Sequence, residues 1–216
     1  MIGLAETAIL FDLDGTLTDS GEGILNCAVF TLQYFGLDVP SRQSLRSIVG
    51  PPLRQSFLRL GIPAERIDEA VEVYRVEYER IGKYQNFPYP GVPELLRQLN
   101  AEGFPLYVAT SKPEEMSVDI LEHFGLAPYF RIIRGATRDG RRDSKSSVIA
   151  ALMSEIGWPK QVYMVGDTIF DVQGAAAHGI PTIGVSWGYG DPAEMKSAGA
   201  ISIADTTQAL YQALHC

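Results

Sequence analysis

Cysteine is scarce in this chain, with two among 216 residues, and so is histidine, with three. Cys27 falls inside a helical pattern and Cys216 is the last residue, so neither a disulfide framework nor a zinc site is expected from them. His123, His178 and His215 lie in or beside helical patterns, at positions suited to the surface or to a satisfied hydrogen bond rather than to a metal. Positive charge is also short: 18 lysines and arginines against 26 acidic residues give a net charge of -8, which excludes a nucleic-acid polymer as partner. No apolar run approaches the roughly 18 residues of a membrane span. The N-terminal run is broken by Glu6 and Asp12, too early for a secretory segment, so a cytoplasmic protein with no membrane partner is expected. With 46% hydrophobic and 20% charged residues the composition is globular, and the length suits one large domain or a core with an insert.

Short apolar runs recur along the chain: 8–11 (AILF), 106–109 (LYVA), 162–165 (VYMV), 182–185 (TIGV) and 201–203 (ISI). Amphipathic patterns separate them, at 93–102, 114–124, 146–156, 171–178 and 206–214. Continuous short runs between helices predict an α/β fold with a parallel sheet covered on both faces. One interval breaks the rhythm. Between the first two runs the patterns at 24–35, 43–48, 52–60 and 64–81 are all helical, punctuated by Gly36, Gly50, Gly61 and Gly82. A helical insert over 18–86, within a core made of 1–17 and 87–216, is the simplest organisation.

The first run ends in ILFDLDGTLTDS (9–20), where Asp12 and Asp14 follow four apolar residues. With a side-chain period of two they face the same way, and at roughly 5 Å and an effective dielectric of about 20 their repulsion is on the order of 3 kcal/mol. Something positive is required between them, or one is protonated. The second run ends in Thr110-Ser111-Lys112, and the third in Gly166-Asp167, with Asp171 four residues on. Ligands of parallel α/β sheets bind beyond the carboxyl ends of the strands, so these residues are expected to converge. Four carboxylates, Asp12, Asp14, Asp167 and Asp171, then need a hard divalent cation, and an oxygen-only ligand set suits Mg2+. One aspartate can attack phosphorus while the other handles protons. The Thr110 hydroxyl, backbone N–H groups after Asp14 and Thr110, at Gly15 and Ser111, and one lysine would hold the phosphoryl oxygens.

These stretches resemble the haloacid dehalogenase superfamily of phosphohydrolases over nearly the whole chain. DLDGTLTDS resembles the first motif, which implies Asp12 as nucleophile and Asp14 as acid/base; VATSKP (108–113) resembles the second, with Thr110 binding phosphate. SKSSVI (144–149) fits the third, with Lys145 steadying the phosphoryl group although Ser146 follows where a proline is frequent, and GDTIFD (166–171) fits the fourth, with Asp167 and Asp171 as the acidic metal end. The resemblance implies a Rossmann-like core with a small α-helical cap. A second aspartate at position 14 implies phosphoryl transfer rather than carbon–halogen cleavage. IVGPPLRQSF (48–57) and GVSWGYG (184–190) are similar to the phosphoglycolate phosphatase-like branch.

The expected activity is therefore Mg2+-dependent hydrolysis of a small phosphorylated metabolite, such as phosphoglycolate, by a monomer or homodimer. A 5′-nucleotidase, a β-phosphoglucomutase-like phosphotransferase and a non-catalytic receiver-like module are the alternatives. A calcium loop starting at Asp12 fails, because Leu17 and Gly23 stand where glycine and glutamate are needed. Arg54, following the GPP turn, is a candidate for a substrate carboxylate or an exposed helix residue. Tyr74, Tyr78 and Tyr84 read as packing residues of the insert.

Overall fold

The computed structural model describes residues 7–215, so Cys216 lies outside the described residues. The chain divides into two compact units, one of residues 1–18 and 88–216, the other of 19–87. The first unit is built on six parallel strands. These are β1 (Thr7–Phe11), β4 (Leu106–Pro113), β5 (Ile132–Ala136), β6 (Gln161–Gly166), β7 (Thr182–Val185) and β8 (Ser202–Ala204), in the order β5-β4-β1-β6-β7-β8. The chain builds outward from β1 through β4 to β5, then crosses to β6 on the other side of β1. That reversal puts the carboxyl ends of β4, β1 and β6 at the centre of the sheet, where a ligand crevice opens.

β1 is buried along its whole length, which is why it reads as a continuous apolar run rather than an alternating one. Its Ala8 and Leu10 join Tyr107, Ala109, Val162 and Met164 in a core sealed by α7 (Lys145–Ile156) through Val148, Ile149, Leu152 and Met153, and by α8 (Ile169–Ala176) through Ala175. The remaining helices of this unit are α5 (Val92–Ala101), α6 (Glu114–His123), α9 (Pro192–Ser197) and α10 (Thr207–Ala213). Strand β5 was not expected. Arg134 and Gly135 interrupt its apolar run, and only its last two residues are buried, as an edge strand allows. Helix α9 is a six-residue element opened by Asp191, whose carboxylate accepts from Ala193 N at 2.7 Å.

The second unit holds α1 (Gly21–Tyr34), α2 (Arg42–Leu45), α3 (Leu53–Arg59) and α4 (Ile67–Arg80), with short 3-10 turns between them. Phe57, Tyr74 and Tyr78 form its aromatic centre, Tyr74 and Tyr78 stacking at 5.8 Å. Tyr84, read from the sequence as a packing residue, is instead 57% exposed. The chain passes between the units through two two-residue strands, β2 (Thr18–Asp19) and β3 (Phe87–Pro88), which pair with each other; the sequence reading had no strand in this interval. Among the described residues no helix is long and apolar enough to cross a membrane.

Candidate active site

Asp12 follows β1 directly, its N–H donating to the Val165 carbonyl of β6 at 2.9 Å. Its carboxylate Oδ1 takes the Leu13 N–H at 2.8 Å and lies 2.7 Å from Lys145 Nζ. Thr110, at the end of the buried part of β4, gives the same carboxylate a hydroxyl hydrogen bond. Lys145 is the first residue of α7 and is buried. Its ammonium also donates to the Ala109 carbonyl at 3.0 Å and lies 2.7 Å from Asp171 Oδ1. Lys160, the other lysine of that stretch, precedes the first residue of β6 and so lies at the opposite end of the strand from Asp167.

Asp167 follows β6 and is wholly buried. Thr16 Oγ1 donates to its Oδ1 at 3.2 Å and Tyr189 N to its Oδ2 at 2.8 Å. Asp171 sits in the first turn of α8, where its Oδ2 accepts from Thr168 N and Oγ1 at 3.0 and 2.9 Å, capping the helix. Its Oδ1 meets Lys145 as an ion pair but has no hydrogen-bond partner of good geometry among the described residues. Asp12, Asp167 and Asp171 each offer a carboxylate oxygen within 4.8 Å of the others, all three buried.

Asp14 stands apart from that cluster. Its two oxygens lie 3.0 and 2.9 Å from Lys112 Nζ, a side chain only 7% exposed. The repulsion anticipated between the two motif aspartates is thus met by two lysines, one for each carboxylate, rather than by one charge shared between them. Lys112 was not singled out from the sequence, although the signal is there. It follows Thr110 by two in the last part of β4, beyond the carboxyl end of the buried stretch where the site forms.

Four carboxylates against the two ammonium groups of Lys112 and Lys145 leave two negative charges in excess. Burial, together with the neighbouring charges, shifts the pKa values of these groups. Burial lifts the Asp12 carboxyl to about 6, against the pull of Lys145 and with a further push from Asp171. Burial, then Asp171 and Asp12, hold Asp167 well above the ordinary carboxylate range. Burial disfavours the Lys145 ammonium, but Asp12 and Asp171 outweigh it and raise its pKa. A buried all-oxygen donor set with this excess and an underused Asp171 oxygen fits a hard divalent cation.

Glycines give the cluster its room. Gly15 has φ +84°, and a Cβ there would stand 2.2 Å from Asp167 Oδ2. Its N–H donates to the Thr18 carbonyl at 2.8 Å, closing the turn after Asp14, so here the residue supplies space rather than an amide. A Cβ on Gly188 would meet Asp167 Cβ at 2.4 Å, and one on Gly190 would meet the Asp167 carbonyl at 2.0 Å. The segment after β7 therefore wraps Asp167 and is tied to the Asp12 loop by Trp187 Nε1 donating to the Thr16 carbonyl at 3.1 Å. Thr16 and this wrap were missed as site elements. Ser111 is half-buried beside Thr110, whereas Arg54 belongs to the helical unit, where it pairs with Asp68.

Residues 9–185 match the family model for haloacid dehalogenase-like hydrolases. The chain is 40% identical over 215 residues to the tyrosine-protein kinase PtkA of Mycobacterium tuberculosis, covering 98% of this chain and 74% of that protein. It is 40% identical over 191 residues to a 5′-nucleotidase of Pseudomonas aeruginosa, covering 88% and 86%, and 32% identical over 182 residues to a phosphoglycolate phosphatase of Aquifex aeolicus, covering 84% and 85%. Among solved structures, a predicted phosphatase from Clostridium acetobutylicum superposes with a TM-score of 0.93 at 40% identity, covering 97% of this chain and 98% of that one. With the fold, the order of its motifs and these similarities in agreement, the chain belongs to the haloacid dehalogenase-like hydrolases.

Proposed function

We propose that this phosphatase hydrolyses a small phosphomonoester, phosphoglycolate-like in size and charge, with Mg2+ and through a phosphoryl group carried on Asp12. The observation that carries the reading is the buried meeting of Asp12, Asp167 and Asp171 with Lys145 and Thr110 at the carboxyl ends of the central strands. Asp12, with a carboxyl pKa of about 6, is ionised at neutral pH and can attack phosphorus. Its oxygen forms the new P–O bond as the ester P–O bond breaks, and Asp14, entering the step as the carboxylic acid once substrate has drawn it off Lys112, gives the departing alkoxide its proton. Asp14 then takes a proton from water, which attacks the phosphoryl group and frees Asp12 and inorganic phosphate. Lys145 and the Thr110 hydroxyl hold the equatorial oxygens while charge redistributes. Asp12, Asp167 and Asp171 would hold the Mg2+, which when bound neutralises the excess negative charge and polarises the phosphoryl oxygens.

The names of the relatives support phosphoryl chemistry and differ in its acceptor and substrate, as a 5′-nucleotidase, a phosphoglycolate phosphatase and a tyrosine-protein kinase do. The test is phosphate release from phosphoglycolate, nucleoside monophosphates and sugar phosphates, with and without Mg2+, beside a parallel incubation with labelled ATP and protein. Metal-dependent release from one small ester at a kcat/KM of about 10⁴ M⁻¹s⁻¹ or more supports the reading. Label transferred from ATP to protein with no ester hydrolysed overturns it, as does isomerisation of a sugar phosphate without free phosphate.

A further inference from the structure

Lys145 is gripped by one stripe of α8 and the turn that follows it. Asp171 meets the ammonium at 2.7 Å. Gly174 lies against the stem, since a Cβ there would stand 2.6 Å from Lys145 Cγ and 2.7 Å from its Cβ. His178, just beyond α8, takes hold of the following residue, its Nε2 lying 2.9 Å from the Ser146 carbonyl oxygen and 3.0 Å from Ser146 Oγ. Positions 171 and 174 lie one turn apart on α8 and His178 follows in the turn after it, and all three meet the start of α7. A carbonyl only accepts, so this contact sets the ring proton on Nε2. Behind it the imidazole is braced by Trp158, with ring centroids 6.2 Å apart.

We propose that His178 is a positioning residue for Lys145, fixing the first turn of α7 so that the ammonium stays on Asp12; the proposal rests on the phosphatase reading above. The first turn of a helix is its least bonded part, because its N–H groups lack internal partners. Here the Ser144–Ser147 capping pair ties it on one side, with Ser147 N donating to Ser144 Oγ at 3.2 Å. His178 ties it on the other, and through α8 it locks the lysine to the carboxylate Asp171. The histidine that the sequence places only at the surface or in a satisfied contact thereby acts on the reaction without touching it. Because displacements of about 1 Å cost up to roughly 10²-fold in rate, a loosened turn is expected to show in kcat.

The test measures steady-state phosphate release and hydrogen exchange in peptides spanning 144–149 for the wild type, His178→Ala and His178→Gln, whose amide nitrogen reaches the place of Nε2. His178→Ala is expected to lower kcat about tenfold with KM within about twofold and to speed exchange, with His178→Gln restoring both. Should His178→Ala fail to fold, His178→Asn, too short to reach the carbonyl, replaces it in the same comparison. Wild-type kcat in His178→Ala overturns the proposal whatever exchange shows, and so does an equal loss in Ala and Gln variants with unchanged exchange. If the wild type releases no phosphate, the phosphatase reading is what fails, and unchanged exchange in His178→Ala then overturns the tie as well.

Discussion

Replacing Asp167 by asparagine should make the metal-free protein more stable, against the usual cost of altering a wholly buried polar residue. The hydrogen bonds survive the change: the amide oxygen can accept from Tyr189 N, and the amide nitrogen can donate to the Thr16 hydroxyl, which then accepts instead of donating. What disappears is repulsion. Two carboxylates lie within 4.8 Å of Asp167, and at an effective dielectric of about 20 each contributes about 3 kcal/mol, much of it offset by Lys145. A net gain of about 2 kcal/mol corresponds to about 4–8 °C in Tm for a chain of this size. The sign with pH follows from the raised Asp167 pKa. Below the ordinary carboxylate range Asp167 is protonated in folded and unfolded states alike, and the repulsion is absent. As pH climbs through the window between the unfolded and the folded pKa the unfolded state loses its proton first, so the wild type loses stability relative to the variant. Calorimetry in EDTA should therefore show the variant melting higher near pH 8 and close to the wild type near pH 4. Added Mg2+ should raise the wild-type Tm and leave the variant nearly unmoved. A variant that melts lower than wild type near pH 8 in EDTA would refute the charge argument.

Lys112→Met removes the ammonium that holds both Asp14 oxygens and should lower kcat by on the order of tenfold, read by steady-state phosphate release, while a wild-type kcat would leave the ion pair without a catalytic part. Gly15→Ala puts a Cβ 2.2 Å from Asp167 Oδ2 at φ +84°, so a loss of at least about 2 kcal/mol in urea unfolding, together with weaker Mg2+ binding by calorimetry, is expected. The exposed Arg54–Asp68 pair should contribute under about 1 kcal/mol, so Arg54→Ala is expected to leave the urea midpoint nearly unchanged.

The sheet was legible where strands form short apolar runs, as β1, β4, β6 and β7 do and as the run at 201–203 does for edge strand β8. Edge strand β5 was not, since partial exposure admits Arg134 and a close backbone approach requires Gly135, where a Cβ would stand 2.5 Å from the Lys112 carbonyl oxygen. At the site, residues bound to strand ends by short-range sequence, such as Asp12, Thr110 and Asp167, were readable because topology alone brings strand ends together. Partner choice was not. That Asp14 pairs with Lys112, and that Gly188 and Gly190 close over Asp167, depends on register between segments far apart in the chain. His178 shows the same limit, since its partner Ser146 lies thirty-two residues away at the start of α7.

The central claim, that Asp12 carries the phosphoryl group, is tested most directly by acid-quenching the protein during turnover and locating phosphate by peptide mass spectrometry, with Asp14→Asn used to slow the water step. The mechanism predicts a phosphoryl group on Asp12, base-labile and more abundant in Asp14→Asn, and none in Asp12→Asn. Hydrolysis that proceeds at the wild-type rate in Asp12→Asn, or a phosphoryl group found on any other residue, would contradict it.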